Sequence, residues 1–161
     1  MEKLEKFDES KLVRMKKYLS VIRRVAGWTA EEMGEHIGVK RQTISNLEKN
    51  PNYPMTKTQY IAIRAVLYYE MEKNKNQTLR ELVDILIVND DLSTEELQEV
   101  DKAVEKVSQK NGRAVNSAAI AMGLSAALGA IGFAIGGVPT ATMMAFQASR
   151  LVSNQTPKLK K

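Results

Sequence analysis

The residues best suited to chemistry lie in one short stretch, GVKRQTISNLEKN, at positions 38–50. Three aliphatic side chains, those of Val39, Ile44 and Leu47, alternate there with basic, amide and hydroxyl side chains. Arginine can bind guanine through two hydrogen bonds, glutamine or asparagine can bind adenine in the same way, and threonine suits the thymine methyl group. If the aliphatic side packs against the protein, we expect the polar side to contact base edges. The residues of that polar side are Arg41, Gln42, Thr43 and Asn46.

Few residues in the chain could support other chemistries. The 161 residues include no cysteine and one histidine, His36. A thiolate metal site is therefore excluded, and zinc binding or histidine-based acid–base catalysis is nearly excluded. No glycine-rich phosphate loop follows a predicted strand, and no catalytic triad or acid pair is recognisable. We predict that the protein is not an enzyme and uses no metal or cofactor.

Charge is distributed unevenly along the chain. Residues 11–75 carry 13 Lys and Arg against 6 Asp and Glu, whereas residues 76–112 carry 4 against 9. Residues 113–161 hold five basic residues and no acidic one. A basic first half favours a polyanionic partner, although an ordinary solvated surface is the alternative explanation on charge alone.

Apolar residues recur at helical spacing along the first half of the chain, and no stretch shows the alternation of a half-buried strand. Ser10 is expected to cap a first helix. Thr29 and Glu32 form a T-x-x-E capping box at the start of a second helix. Gly38 supplies a tight turn before a third helix, predicted over residues 41–49.

Further helices follow the third one. A Pro-containing loop, NPNYP, leads to a fourth helix near residues 56–73. Two more capping boxes are predicted to begin helices of about 79–88 and 94–110. These boxes pair Thr78 with Glu81 and Ser93 with Glu96.

The second and third helices are expected to pack closely against each other. Ile44 and Leu47 are three residues apart and share one face of the third helix. Gly34 lies in the middle of the second helix, where it costs about 1 kcal/mol of helix stability relative to alanine. Such a glycine is explained if the two helices cross at short distance.

The stretch WTAEEMGEHIGVKRQTISNLEKN resembles the helix-turn-helix of the phage Cro/repressor-like (XRE) regulators. The family pattern runs Leu-Thr-Gln-Glu-Glu-Leu-Ala, a turn glycine, Val-Ser-Arg-Gln-Thr-Ile-Ser and a helix-ending Glu. The resemblance covers about residues 12–70. This chain has Ala30 where many members have Gln, Lys40 where they have a capping Ser, and Asn50 where Gly is frequent.

The resemblance implies an all-α, lambda-repressor-like domain of about five helices with the third helix in the major groove. It implies double-stranded DNA as the partner and a homodimer as the binding species. By analogy, bases would be read by Arg41, Gln42, Thr43 and Asn46. Phosphates would be held by Thr29, Lys40, Ser45, Lys49 and Lys57. Arg23 would pair with Glu48 and fix the third helix to the first.

The last third of the chain contains 36 consecutive uncharged residues, between Arg113 and Arg150. This length exceeds the ~20 residues that span a bilayer, but few Leu, Ile or Phe residues make insertion marginal. The alternative is an Ala/Gly-rich helical hairpin that turns at residues 136–139 and is buried in a dimer interface or against a second protein. Small residues recur at helix-packing spacing in either case. They are Ser125, Gly129, Gly132 and Gly136.

These patterns divide the chain into four parts: a helix-turn-helix domain, a charged connecting helix, the uncharged segment and a basic tail. Their predicted ranges are 1–88, 89–112, 113–152 and 153–161. We interpret the chain as a sequence-specific DNA-binding transcriptional regulator, most simply a dimeric repressor. The alternative is an interaction protein, antitoxin-like or a membrane-tethered scaffold, that keeps the fold without acting through specific DNA.

The predicted location follows from the N-terminal residues and the uncharged segment. The N-terminus, MEKLEKFDES, alternates charges and has no apolar stretch of the kind that a secretory signal requires. We therefore expect the protein in the cytoplasm. If the uncharged segment enters a bilayer, the protein would be tethered to the inner face of the cell membrane.

Overall fold

The computed structural model describes residues 7–111 and 117–133. Within these ranges the chain forms α-helices and one π-helical turn, with no strand, which confirms the predicted all-α class. The helices are α1 (Ser10–Val25), α2 (Ala30–Ile37), α3 (Arg41–Lys49), α4 (Lys57–Lys73), α5 (Gln77–Val83), α6 (Thr94–Asn111) and α7 (Ser117–Ala130), and the π-helical turn is Asp84–Val88.

Reciprocal capping boxes begin three of the helices. At α2 the Glu32 N–H donates to Thr29 Oγ1 at 3.1 Å, and the Thr29 N–H donates to Glu32 Oε2 at 2.6 Å. The box of Ser93 and Glu96 at α6 is also present, with distances of 3.2 and 2.8 Å. Both boxes confirm the prediction. A third, at α4, joins Thr56 to a glutamine three residues later and was not predicted.

Two predicted caps are wrong. Ser10 is the first residue of α1 rather than its cap, and its N–H and hydroxyl donate to the Asp8 carboxylate at 2.9 and 2.6 Å. Thr78 lies inside α5, whose cap is Asn76, because the Asn76 side chain accepts a hydrogen bond from the Leu79 N–H at 3.0 Å. At α5 the short Asn76 side chain takes the N-cap position, where asparagine is strongly favoured. At α1 the N-cap residue is Glu9, which makes no side-chain cap hydrogen bond.

The close approach of α2 and α3 explains Gly34. A Cβ atom at this position would lie 2.6 Å from the Val39 carbonyl oxygen and 3.3 Å from the Arg41 nitrogen. The turn between the helices is equally constrained, since Gly38 has a left-handed φ of 74° and the Val39 N–H donates to the Gly34 carbonyl at 2.8 Å. The prediction of a short crossing distance at this glycine is confirmed.

Helix α1 lies at the centre of the fold. It packs against α3, α4, α5, α6, α7 and the π-helical turn. Its side chains Met15, Leu19 and Ile22 are almost completely buried. A single hydrophobic core therefore joins the helix-turn-helix to the helices that follow it.

Helix α7 contributes to this same core. Its Ile120, Leu124 and Leu128 side chains are fully buried, and it packs against α1, α5 and α6. Of the small residues predicted for helix packing, Gly129 is buried, Ser125 is half-buried, and Gly132 lies in the turn after the helix with a φ of 111°. Gly136 and the predicted turn at 136–139 lie outside the described residues.

The predicted membrane segment is only partly described. Helix α7 has 14 residues. In the ranges 7–111 and 117–133, no helix combines the length and the apolar character needed to cross a membrane. The four-part division of the chain remains a prediction.

A substitution at Gly34 tests the α2–α3 crossing. We expect Gly34→Val to lower the free energy of unfolding by about 1–3 kcal/mol, because the added atoms overlap the backbone of the following turn. Glu35→Val is the matched control, since it places the same residue on the exposed side of the same helix. Urea unfolding followed by circular dichroism measures both. Equal stability of the two variants would contradict the short crossing distance.

Candidate nucleic-acid interface

A buried ion pair fixes the orientation of α3. Arg23 on α1 donates from Nε to Glu48 Oε1 at 2.6 Å and from Nη2 to Glu48 Oε2 at 3.2 Å. The two side chains are only 9% and 6% exposed. Arg23 Nη1 also donates to the Trp28 carbonyl oxygen at 2.6 Å. One guanidinium thus connects three elements: α1, α3 and the loop that precedes α2. The structure places the two residues of the predicted pair in direct contact.

The two sides of α3 differ sharply in exposure. Ile44 and Leu47 are fully buried, whereas Arg41 and Gln42 are exposed. The other polar residues, Thr43, Ser45 and Asn46, are half-buried. The predicted base-reading residues therefore occupy one accessible side of a helix whose opposite side is anchored in the core.

Gln42 and Asn46 form a hydrogen bond one helical turn apart. Gln42 Nε2 donates to Asn46 Oδ1 at 3.0 Å. This bond leaves the Gln42 amide oxygen and the Asn46 amide NH₂ to a ligand. An acceptor and a donor side by side match the pattern that the adenine edge presents in the major groove. The bond also orders both side chains before binding, which reduces the entropy lost on recognition.

A groove of about 570 Å³ lies beside α3, between the end of α1 and the start of α2. The groove brings together four predicted contact residues, Thr29, Arg41, Ser45 and Lys49. Arg24 also lines it and was not predicted. Arg24 is 5% exposed, and its burial together with the adjacent Arg23 cation lowers its pKa, while Glu48 raises it. A signal was present in the sequence, since Arg24 follows the pairing arginine directly.

The start of α2 differs from the predicted phosphate site. The Thr29 hydroxyl and N–H are both engaged with Glu32 in the capping box. Glu31 and Glu32 place two carboxylates in the first helical turn. The hydrogen bond from the Thr29 N–H holds the pKa of Glu32 below its usual range, so this carboxyl stays charged at neutral pH. Thr29 lines the groove, but the two carboxylates would repel a phosphate at the start of α2.

Two predicted phosphate contacts lie outside the groove. Lys40 is exposed in the turn before α3 and provides no side-chain cap for that helix. Lys57 is the first residue of α4, and its Nζ lies 4.8 Å from the centre of the Phe7 ring.

Another lysine, Lys16, which the sequence analysis did not single out, connects α1 to the end of α3. Its Nζ donates to the Asn50 and Pro51 carbonyls, both at 2.9 Å.

Comparison with known proteins gives a short similarity. Over 34 residues the chain is 44% identical to the antitoxin HipB of Escherichia coli strain K12. The matched stretch covers 21% of this chain and 39% of that protein, so the chain spans well under half the length of the curated relative. No protein-family model matches the chain. No solved structure matches it either.

The Arg23–Glu48 pair can be tested by a double-mutant cycle. Arg23→Met should cost about 3–5 kcal/mol of stability, because it leaves the Glu48 carboxylate buried without its partner. Adding Glu48→Met should recover most of that loss, since the charge left unpaired is then removed. Urea unfolding of the two single variants and the double variant gives the coupling. Additive losses would contradict a buried, mutually dependent pair.

Proposed function

We propose that this protein is a sequence-specific double-stranded DNA-binding regulator of the XRE helix-turn-helix type, most simply a dimeric repressor that works in the cytoplasm. One observation carries the proposal. Helix α3 exposes Arg41 and Gln42 on one side and is locked to α1 on the other through Glu48 and Arg23. Such a helix can enter the major groove without reorganising.

Each residue of the exposed side has a distinct part in base recognition. Arg41 would donate two hydrogen bonds to a guanine, and the ordered Gln42–Asn46 pair would bind an adenine. Thr43 would place its methyl group against a thymine methyl. Recognition of the adenine then rests on two side chains that are already hydrogen-bonded to each other, which favours discrimination between sequences over general affinity.

Phosphate binding is proposed for the groove beside α3. Lys49 and Ser45 would contact the DNA backbone there, and Arg24, which also lines the groove, would add positive charge. Lys40 and Lys57, which lie outside the groove, would reach neighbouring phosphates. Glu31 and Glu32 weaken the contribution of the α2 N-terminus, so side-chain cations rather than helix amides carry most of the backbone contact.

Two substitutions in α3 test base reading. A preferred duplex is first selected from random DNA with the full-length wild-type protein. We expect Arg41→Ala and Gln42→Ala each to weaken binding to that duplex by about 1–3 kcal/mol and to relax preference at one or two base pairs. Fluorescence anisotropy on the selected and on a scrambled duplex measures the difference. Equal losses on both duplexes would mean that these residues touch only phosphates.

A second candidate function is an antitoxin that acts by binding a partner protein. The similarity to the antitoxin HipB over 34 residues favours it. In that case the polar side of α3 would play no part in the activity. Neutralisation of a toxin would then persist in the Gln42→Ala variant.

Salt dependence separates the two functions. If α3 binds DNA, the logarithm of the association constant should fall with the logarithm of the salt concentration by about 0.9 per phosphate contact. Lys49→Ala should reduce this slope by about 1 and leave sequence preference unchanged. Lys102→Ala, which changes an exposed lysine on α6, is the control and should alter neither. Binding to the selected duplex that does not depend on salt would count against the DNA-binding proposal.

A further inference from the structure

Helix α3 ends without the glycine that commonly closes a helix. Its last residue is followed by Asn50, whose φ of −99° and ψ of 108° take the chain out of the helix in one extended step. The last carbonyl groups of any helix have no partner inside that helix. A left-handed glycine often lets the following backbone N–H groups bind them, and α3 has no such residue. The carbonyl groups at the end of α3 are therefore open to donors from another part of the molecule.

The side chain of Lys16 on α1 provides such a donor. Its Nζ donates to the Asn50 carbonyl and to the Pro51 carbonyl, both at 2.9 Å. In the part of the chain that the structure describes, no carboxylate lies within ion-pair distance of this ammonium group. The Lys16 cation is thus held by two backbone carbonyl groups at the C-terminus of a helix, where the helix dipole favours a positive charge.

Helix α1 therefore holds α3 at two points. Arg23 binds the Glu48 carboxylate, and Lys16 binds the backbone of the two residues that follow α3. The two basic residues are separated by about two helical turns, so they lie on the same side of α1. The two contacts have different effects. The ion pair fixes the rotation of α3, whereas the lysine fixes the point at which the chain leaves this helix.

The end of α3 is linked by hydrogen bonds to the side chains assigned to base reading. The Asn50 N–H donates to the Asn46 carbonyl at 2.9 Å, which closes the last turn of the helix. The Asn46 side chain in turn accepts the hydrogen bond from Gln42. If the last turn frayed, the Asn46 backbone would lose this bond, and its side chain would lose its fixed position relative to Gln42. The contact made by Lys16 opposes that fraying.

We propose that Lys16 is a positioning residue for sequence reading: it closes the C-terminus of α3 in place of a glycine cap and so keeps the Gln42–Asn46 pair in place for the bases. This inference rests on the proposed DNA-binding function. A lysine beside a DNA-binding helix would ordinarily be assigned to a phosphate. Here two of the three N–H donors of the ammonium group are already bound to protein carbonyls. Lys16 therefore acts through α3 and not through a contact with the DNA backbone.

The first part of the test uses amide hydrogen exchange of the full-length protein without DNA. Lys16→Met keeps most of the aliphatic chain but removes the donors, so the Asn50 amide should exchange at least about threefold faster, while the Ile44 amide inside α3 should not change. Lys16→Arg should restore slow exchange, because a guanidinium can also donate to two carbonyls. The matched control is Lys17→Met, which removes the neighbouring charge. Lys17 pairs with Asp101 on α6 at 2.5 Å, so the Asn50 amide should be unaffected.

The second part compares binding to the selected and the scrambled duplex. Lys16→Met should lower the ratio of the two affinities by about three- to tenfold, and Lys16→Arg should recover it. The salt dependence should stay that of the wild type, whereas loss of a phosphate contact would reduce its slope by about 1. Lys17→Met should leave the ratio unchanged.

Three results would overturn the proposal: unchanged Asn50 exchange in Lys16→Met, a slope reduced by about 1, or equal losses on both duplexes. A wild type that does not distinguish the duplexes would instead refute the proposed function. The exchange measurement would still decide whether Lys16 closes α3, so the two failures can be told apart.

Discussion

The presentation of α3 depends on one buried ion pair. Removing the Arg23 guanidinium and the Glu48 carboxylate from water is unfavourable unless each satisfies the other, and their two-point contact does so in a single relative orientation. The third bond of Arg23, to the Trp28 carbonyl, extends that constraint to the entry of α2. Because α3 cannot rotate without breaking this pair, its polar side is held outward.

Local signals in the sequence allowed helix α3 and the elements that support it to be predicted. The Thr29–Glu32 box, the turn at Gly38 and the glycine at the α2–α3 crossing are each specified by a few neighbouring residues. The capping box at α4 was missed, and the cap of α5 was assigned to Thr78 instead of Asn76. Several polar residues compete for each of these helix starts, and packing decides among them. Arg24 stands beside the predicted pairing residue Arg23, but its place in the lining of the groove depends on how the helices pack.

The uncharged C-terminal segment shows where composition stops being informative. Alanine, glycine and scattered aliphatic residues suit a bilayer, a dimer interface and a protein core alike. The part described as α7 buries Ile120, Leu124 and Leu128 against the same core as α1. Gly123 allows that packing on the α6 side, where an added Cβ would lie 3.3 Å from Val107. The deciding contacts join residues almost a hundred positions apart, which no local pattern records.

The most direct test of sequence reading by α3 is nuclear magnetic resonance spectroscopy of the side-chain amide groups of Gln42 and Asn46 during titration with DNA. At constant salt, both NH₂ signals should shift on adding the selected duplex and remain nearly unchanged on adding a scrambled duplex of equal length. That result would place the hydrogen-bonded pair at base edges. Unchanged Gln42 and Asn46 signals at saturation with the selected duplex would contradict the claim that α3 reads DNA sequence.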